Sequence, residues 1–290
     1  MSFTEGTPSL IARSLDRLAA RADDYAQEWK SKTPFRYLVM DDFLFPEDAA
    51  AILAAYPVPE VEGWNHPTYM DQRKKFTRTS GFAPPVADFF ALTASPDFCA
   101  LMTRITGIAD LEPDPELIGG GLHQILRGGF LNVHVDYNFH PKTKLHRRLN
   151  LLLYMNPGWQ DDWEGCLELW DLGTKRQLER IAPLFNRAVM FETNEVSYHG
   201  HPRPLNTPPD VTRKSLAVYY YTKTRDDGSL APEHNTLSIQ TEGLSGYVKT
   251  SRAAAEAALE RMREKGVGEV VRNIAKKVDN KLKGKLPEND

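Results

Sequence analysis

The chain has 290 residues, 41% of them hydrophobic, and a formal net charge of −3. That suffices for one large domain with appendages, and it provides no basic field of the kind that draws in nucleic acid or an anionic membrane surface. Two cysteines, Cys99 and Cys166, make no disulfide framework. With no signal peptide and no 18-residue apolar run, the expectation is a cytoplasmic protein without a transmembrane segment.

Residues 1–33 read as an N-terminal helical segment, because Leu10, Ile11, Leu15, Leu18, Ala19, Ala22 and Tyr25 recur at helical spacing over 8–30. A strand is predicted over 35–40 and a helix over 47–55, stopped by Pro57 and Pro59. From 61 to 79 periodicity is lost among Trp64, Asn65, His66, Tyr69, Arg73, Lys74, Lys75 and Arg78. Such a stretch reads as a charge-rich solvated loop, with a lid over a site as the functional alternative. Helical patterns return over 86–93 and 96–105.

Past Pro113 and Pro115 the texture turns to short β-rich runs separated by Gly, Pro, Asn and Asp. Strands are predicted over 120–126, 130–135, 149–154, 167–171, 177–181, 188–192, 199–202 and 216–222. Eight such strands imply a mainly β fold with flanking helices (α+β), a double-stranded β-helix or jelly-roll core able to hold a small ligand between its sheets. Residues 34–228 are read as this domain with its helical lead-in, and 229–290 as a mostly helical C-terminal extension. In the extension, 251–265 are strong helix formers and Gly266-Val-Gly268 breaks them. A second, basic helix follows, with Val271, Ile274, Val278 and Leu282 on one side; its expected role is packing on its own protein or on a twin subunit, giving a homodimer.

Within the β-rich region, His134 and Asp136 stand two apart in an alternating segment, so on a strand both face the same way. His199, 65 positions after His134, sits between two further strand-like runs. Two imidazoles and one carboxylate on one face of an octahedron form the facial triad of non-haem Fe(II) sites. His201 could share the strand face of His199; the Ser-Tyr-His-Gly context favours His199. His123, His140, His146 and His234 read as core, surface or supporting residues. Arg213 and Ser215 open the last strand on one face and can clamp a carboxylate with charge-assisted hydrogen bonds.

The segment 119–222 resembles the 2-oxoglutarate and Fe(II)-dependent oxygenase superfamily, and within it the prolyl-4-hydroxylase-like branch. The resemblance rests on Gly128 six residues before His134, on Arg148 followed by Leu152-Leu-Tyr-Met-Asn156, and on Glu164-Gly-Cys-Leu-Glu-Leu-Trp170. It continues through Pro183 to Phe191, His199 with Pro202, and Arg213, with weaker support from 34–57. It implies that His134, Asp136 and His199 bind Fe(II), that 2-oxoglutarate chelates the metal while Arg213 and Ser215 hold its 5-carboxylate, and that O2 is the oxidant with ascorbate as reductant. The carboxylate of Asp136 implies hydroxylation rather than halogenation. Prolyl hydroxylases usually carry Tyr nine and three residues before the first ligand His, where this chain has Ile125 and Leu131. The duty of such a tyrosine on the co-substrate is assigned to Tyr154, Asn132 or Gln124, and the departures point away from a proline-specific substrate. The basic segment 137–148 suggests a small anionic substrate, sugar- or nucleotide-linked. The alternatives are a protein side-chain hydroxylase, a non-catalytic metal-binding jelly-roll sensor, and a zinc hydrolase or isomerase on a similar barrel.

Overall fold

The structure is a computed structural model and describes residues 10–65, 71–225 and 231–265. In chain order the elements are α1 (Leu10–Ala19), α2 (Ala22–Ser31), β1 (Tyr37–Met40), α3 (Pro46–Ala54), β2 (Gln72–Arg78), α4 (Pro84–Thr93), α5 (Pro96–Thr106) and β3 (Glu112–Pro113). Then follow β4 (Gly121–Val135), β5 (His146–Tyr154), β6 (Leu167–Asp171), β7 (Arg176–Ile181), β8 (Arg187–Glu192), β9 (Tyr198–His201), β10 (Arg213–Thr222), β11 (Leu237–Ile239) and α6 (Gly243–Lys265).

Helix boundaries follow local chemistry. Pro stands in the first turn of α3, α4 and α5, where its missing N–H is no loss. In α5 the Ser95 hydroxyl also accepts from the Phe98 N–H, and Gly107 ends the helix at φ 77°. The single N-terminal helix expected from periodicity is two, because Arg21 leaves helical geometry with ψ near 5° before α2 starts.

All strand pairs are antiparallel, in the order β1-β8-β5-β10-β4-β9-β6-β7, with β2 and β11 added on β4 and β3 on β10. The sheet curls because β4 is one 15-residue strand that changes partners along its length. Its first half lies between β10 and β2, and its second half carries β9 and β11. Two expected strands are thus one, continuous through Gly128–Gly129. Alternation sorts the faces: Leu149, Leu151, Leu153, Leu216, Val218 and Tyr220 pack into the core shared with α1, α2, α4 and α5. Tyr154, Val189 and Phe191 point the other way and meet Leu167, Leu169 and Ile181 between the sheets. This is the mainly β jelly-roll with helices on one side.

One stretch corrects the sequence reading. Residues 72–78 are neither solvated loop nor lid; they form β2, paired with both halves of β4. The strand hides in the sequence because it carries four cations and because Lys74, held at φ 51° opposite the bulged residues 126–129 of β4, breaks the two-residue alternation. The approach of β2 requires glycine at Gly121, where a Cβ would lie 2.2 Å from the Arg78 carbonyl oxygen. His66, Tyr69 and the second C-terminal helix around Val271 and Leu282 lie outside the described residues. The α6 helix rests on the barrel: Lys249 sits 4.4 Å over the Phe130 ring, and Glu256 pairs with Arg73. Among the described residues no helix is long and apolar enough to cross a membrane.

Candidate active site

A cavity of about 180 Å3 lies between the two layers of the β-core, and β4 supplies its centre. His123, Ile125 and Leu131 face it at odd positions, whereas His134 and Asp136 face it at even ones. The switch is a bulge: Leu131 pairs with His201 and His134 with His199, so β4 has one more residue than β9 between these pairs. Gly200 makes the bulge possible, since a Cβ there would lie 2.6 Å from the Asn132 carbonyl oxygen.

His134, Asp136 and His199 converge, with one donor atom from each within 4.8 Å of the others. The Asp136 Oδ1 is 3.5 Å from His134 Nε2, and its Oδ2 is 3.5 Å from His199 Nε2. Ligands bound at right angles about 2.1 Å from one ion stand about 3 Å apart, so small adjustments complete a facial triad. The tautomers suit it as well. His134 Nδ1 lies 2.8 Å from the Asn132 carbonyl and His199 Nδ1 lies 2.9 Å from the Ser197 carbonyl. Each carbonyl takes the Nδ1 proton and leaves the Nε2 lone pair toward the centre. Burial pulls the His199 pKa down to about 4, so the imidazole is neutral at physiological pH. Burial pushes the Asp136 carboxyl up, but Arg147 and the two imidazoles outweigh it and hold it well below the usual carboxylate range. Two imidazoles, each with its Nε2 toward the centre, and an ionised carboxylate fit a divalent cation.

A layer behind the triad orients it. Asn150 Nδ2 donates to Asp136 Oδ2 at 2.7 Å, and Arg147 Nη2 is 3.2 Å from the same oxygen. Arg147 also donates to Asn150 Oδ1 through Nε and Nη2, at 3.0 and 2.8 Å. Its guanidinium stacks 3.6 Å from the Tyr219 ring centre and 4.5 Å from that of Tyr137. The arginine that the family pattern brought forward, Arg148, donates instead to Thr222 Oγ1 and the Thr224 carbonyl. A second bulge decides this: Tyr220 pairs with Leu149 and Tyr221 with Arg147, which leaves Arg148 as the extra residue.

The deeper end of the cavity is built in rows across the strands. Lys75, Ile125 and Arg213 are register partners in one row; His123, Ser215 and Tyr154 are partners in the next. Arg213, only 4% exposed, donates Nε to the Gly165 carbonyl at 2.6 Å and Nη2 to the Tyr154 hydroxyl at 3.2 Å. Ser215 lines the cavity beside it. His201 also faces the cavity, buried, with both ring nitrogens lacking a hydrogen-bond partner.

Two residues assigned to the co-substrate from the sequence are placed elsewhere. Gln124 falls between His123 and Ile125 in the alternation and points away from the cavity. Asn132 sits in the β4 bulge and donates to Asp71 Oδ1 at 3.3 Å. The sequence reading passed over Lys75, Arg147, Asn150 and Tyr219, all of which line the cavity.

Comparison with known proteins agrees with this geometry. Residues 120–221 match the 2OG-Fe(II) oxygenase superfamily. A prolyl 3-hydroxylase of Mus musculus is 27% identical over 135 residues, a match covering 43% of this chain and 22% of that protein. The chain therefore spans about a fifth of the length of this curated relative. Among solved structures, a prolyl-4-hydroxylase of Pseudomonas putida superposes with a TM-score of 0.51 at 20% identity, covering 71% of this chain and 100% of that one. A prolyl hydroxylase of Trichoplax adhaerens, in complex with a hypoxia inducible factor oxygen degradation domain peptide fragment, gives 0.53 at 14% identity, covering 75% and 94%. At these identities the structural likeness is one of fold. Residues 120–221, which carry the three converging donors and Arg213, are thus the part of this chain that is similar to the 2OG-Fe(II) oxygenase superfamily.

Proposed function

We propose that this protein is a 2-oxoglutarate- and Fe(II)-dependent dioxygenase that hydroxylates an unactivated C–H bond. The observation that carries the reading is one cavity with a His-Asp-His donor set at one end and a buried arginine, paired with a tyrosine hydroxyl, at the other. His134, Asp136 and His199 would hold the metal, and Arg213, with Tyr154 and Ser215, the distal carboxylate of the co-substrate. Fe(II), 2-oxoglutarate and O2 would supply the oxidising chemistry, with succinate and CO2 released as one oxygen atom enters the substrate. The tasks of the chain itself are orientation and exclusion of water. Backbone carbonyls fix the imidazoles, Asn150 and Arg147 fix the carboxylate, and Leu152, Leu167 and Phe191 line the cavity with apolar surface.

For the substrate, the names of the relatives favour a prolyl side chain in a peptide over a free small molecule. The basic segment gives the small anion less support than its sequence suggests. Lys142 pairs with Glu116, and Lys144 lies 2.7 Å from Glu233.

The test is anaerobic addition of Fe(II) and 2-oxoglutarate, followed by succinate release on proline-containing peptides and on a small-molecule panel. The reading expects the visible charge-transfer band of the chelate in wild type, its loss in His134→Ala and its weakening in Arg213→Ala. Metal binding without the band would overturn the oxygenase reading, and succinate release stimulated only by small molecules would overturn the peptide substrate.

A further inference from the structure

We propose that Lys75 is a second cationic anchor for the distal carboxylate of the co-substrate, forming a clamp with Arg213 on either side of Ile125. The inference rests on the oxygenase reading and adds to it a residue from β2, a strand outside the superfamily match.

The placement is geometric. Ile125 is the register partner of Arg213 on one side and of Lys75 on the other. Directly opposed residues of antiparallel strands share a face, and Lys75, Ile125 and Arg213 all line the cavity. The irregular residue Lys74, at φ 51° opposite the bulged residues 126–129 of β4, brings this about: Gln72 and Lys75, three apart, both face inward.

The charge balance calls for an anion. Among the described residues, Lys75, Arg147 and Arg213 line the cavity against one carboxylate, Asp136. Asp136, whose charge acts on the Lys75 ammonium, is already engaged by Asn150 and Arg147 and faces the metal position. Arg213 spends its Nε on the Gly165 carbonyl and one Nη2 bond on Tyr154. A carboxylate offers about four acceptor sites, more than the remaining guanidinium hydrogens satisfy from one side. Donors for the rest stand at the same end: the ammonium of Lys75, the hydroxyl of Ser215, and His201, 3% exposed with both ring nitrogens unpartnered. Buried polar atoms without partners mark a place where a ligand supplies them.

The test is an anaerobic titration of the Fe(II)-loaded protein followed by the chelate band, with two keto acids. These are 2-oxoglutarate and 2-oxopentanoate, which has the same chelating end and no distal carboxylate. The proposal expects Lys75→Met to weaken 2-oxoglutarate binding by about 10- to 100-fold, the range of a lost charge-assisted hydrogen bond. Binding of 2-oxopentanoate should match that of wild type, and Lys75→Arg should restore most of the loss. Unchanged 2-oxoglutarate affinity in Lys75→Met overturns the clamp and turns Lys75 toward the substrate. Equal weakening of both keto acids also overturns it, since the effect would then be general to the site. A wild-type protein that gives no band with either keto acid overturns the oxygenase reading itself, an outcome distinct from the other two.

Discussion

Arg147 lies 3.2 Å from the carboxylate of Asp136 and 3.6 Å from the ring centre of Tyr219, fully buried between them. A guanidinium so placed keeps Asp136 ionised, orients it through Asn150, and is itself held flat by the aromatic stack. Removing it loosens the support of a metal donor while all three donors remain.

Arg147→Met is therefore expected to lower Fe(II) affinity by about 10- to 100-fold, the usual effect of losing an outer-shell partner. Arg147→Lys should recover little of this, because an ammonium cannot engage Asn150 and Asp136 while stacking on Tyr219. Anaerobic metal titration of the two variants checks it; full recovery by lysine would mean that charge alone matters.

Gly200→Ala tests the bulge. The new Cβ would meet Asn132 O at 2.6 Å and Asn132 C at 2.8 Å, both backbone atoms that cannot step aside. The expected result is a loss of stability of about 1–3 kcal/mol, as for overpacked sites, together with weaker metal binding as β9 moves off β4 and parts His199 from His134. Thermal melts with and without Fe(II) read both: the metal-induced rise in Tm should shrink along with the Tm itself.

The pH dependence of co-substrate binding follows from Lys75. Burial, with the Arg213 and Arg147 charges adding to it and Asp136 opposing it, lowers the ammonium pKa from 10.5 to about 8. An anion binds the protonated form, so 2-oxoglutarate affinity should be flat below about pH 8. It should fall as pH rises above that value, by up to about tenfold per unit. Lys75→Arg keeps its charge and should stay flat to pH 10. A wild-type profile without the break near pH 8 would remove Lys75 from co-substrate binding.

The double variant Lys142→Ala, Lys144→Ala removes two solvent-exposed ion pairs, with Glu116 and Glu233. Exposed pairs contribute about 0–1 kcal/mol, so stability should hardly change. Substrate KM and its dependence on salt are expected to match wild type. A rise in KM that high salt abolishes would return the basic segment to substrate attraction.

What was legible beforehand is what depends on neighbours in the chain. The alternating runs of β5, β8 and β10 announce themselves, as does the His134-x-Asp136 spacing, because two-residue alternation and side-chain type are local properties. The β2 strand is not legible: Lys74 and Lys75 follow Arg73 and look like a solvated loop until β4 is there to pair with them. Nor could the choice between Arg147 and Arg148, or the exclusion of Gln124 and Asn132 from the cavity, be read from spacing. In each case an extra residue or the strand parity decides which way a side chain points.

By itself, then, the sequence determined the jelly-roll and the donor types. The tertiary structure decided the aim. Three irregularities, at 126–129 of β4 opposite Lys74, between Leu131 and His134, and at Arg148, turn Lys75, His134 and Arg147 into one cavity. A bulge exists only relative to its partner strand: one extra residue shifts the register and inverts every side chain beyond it, and that partner lies many residues away in the chain.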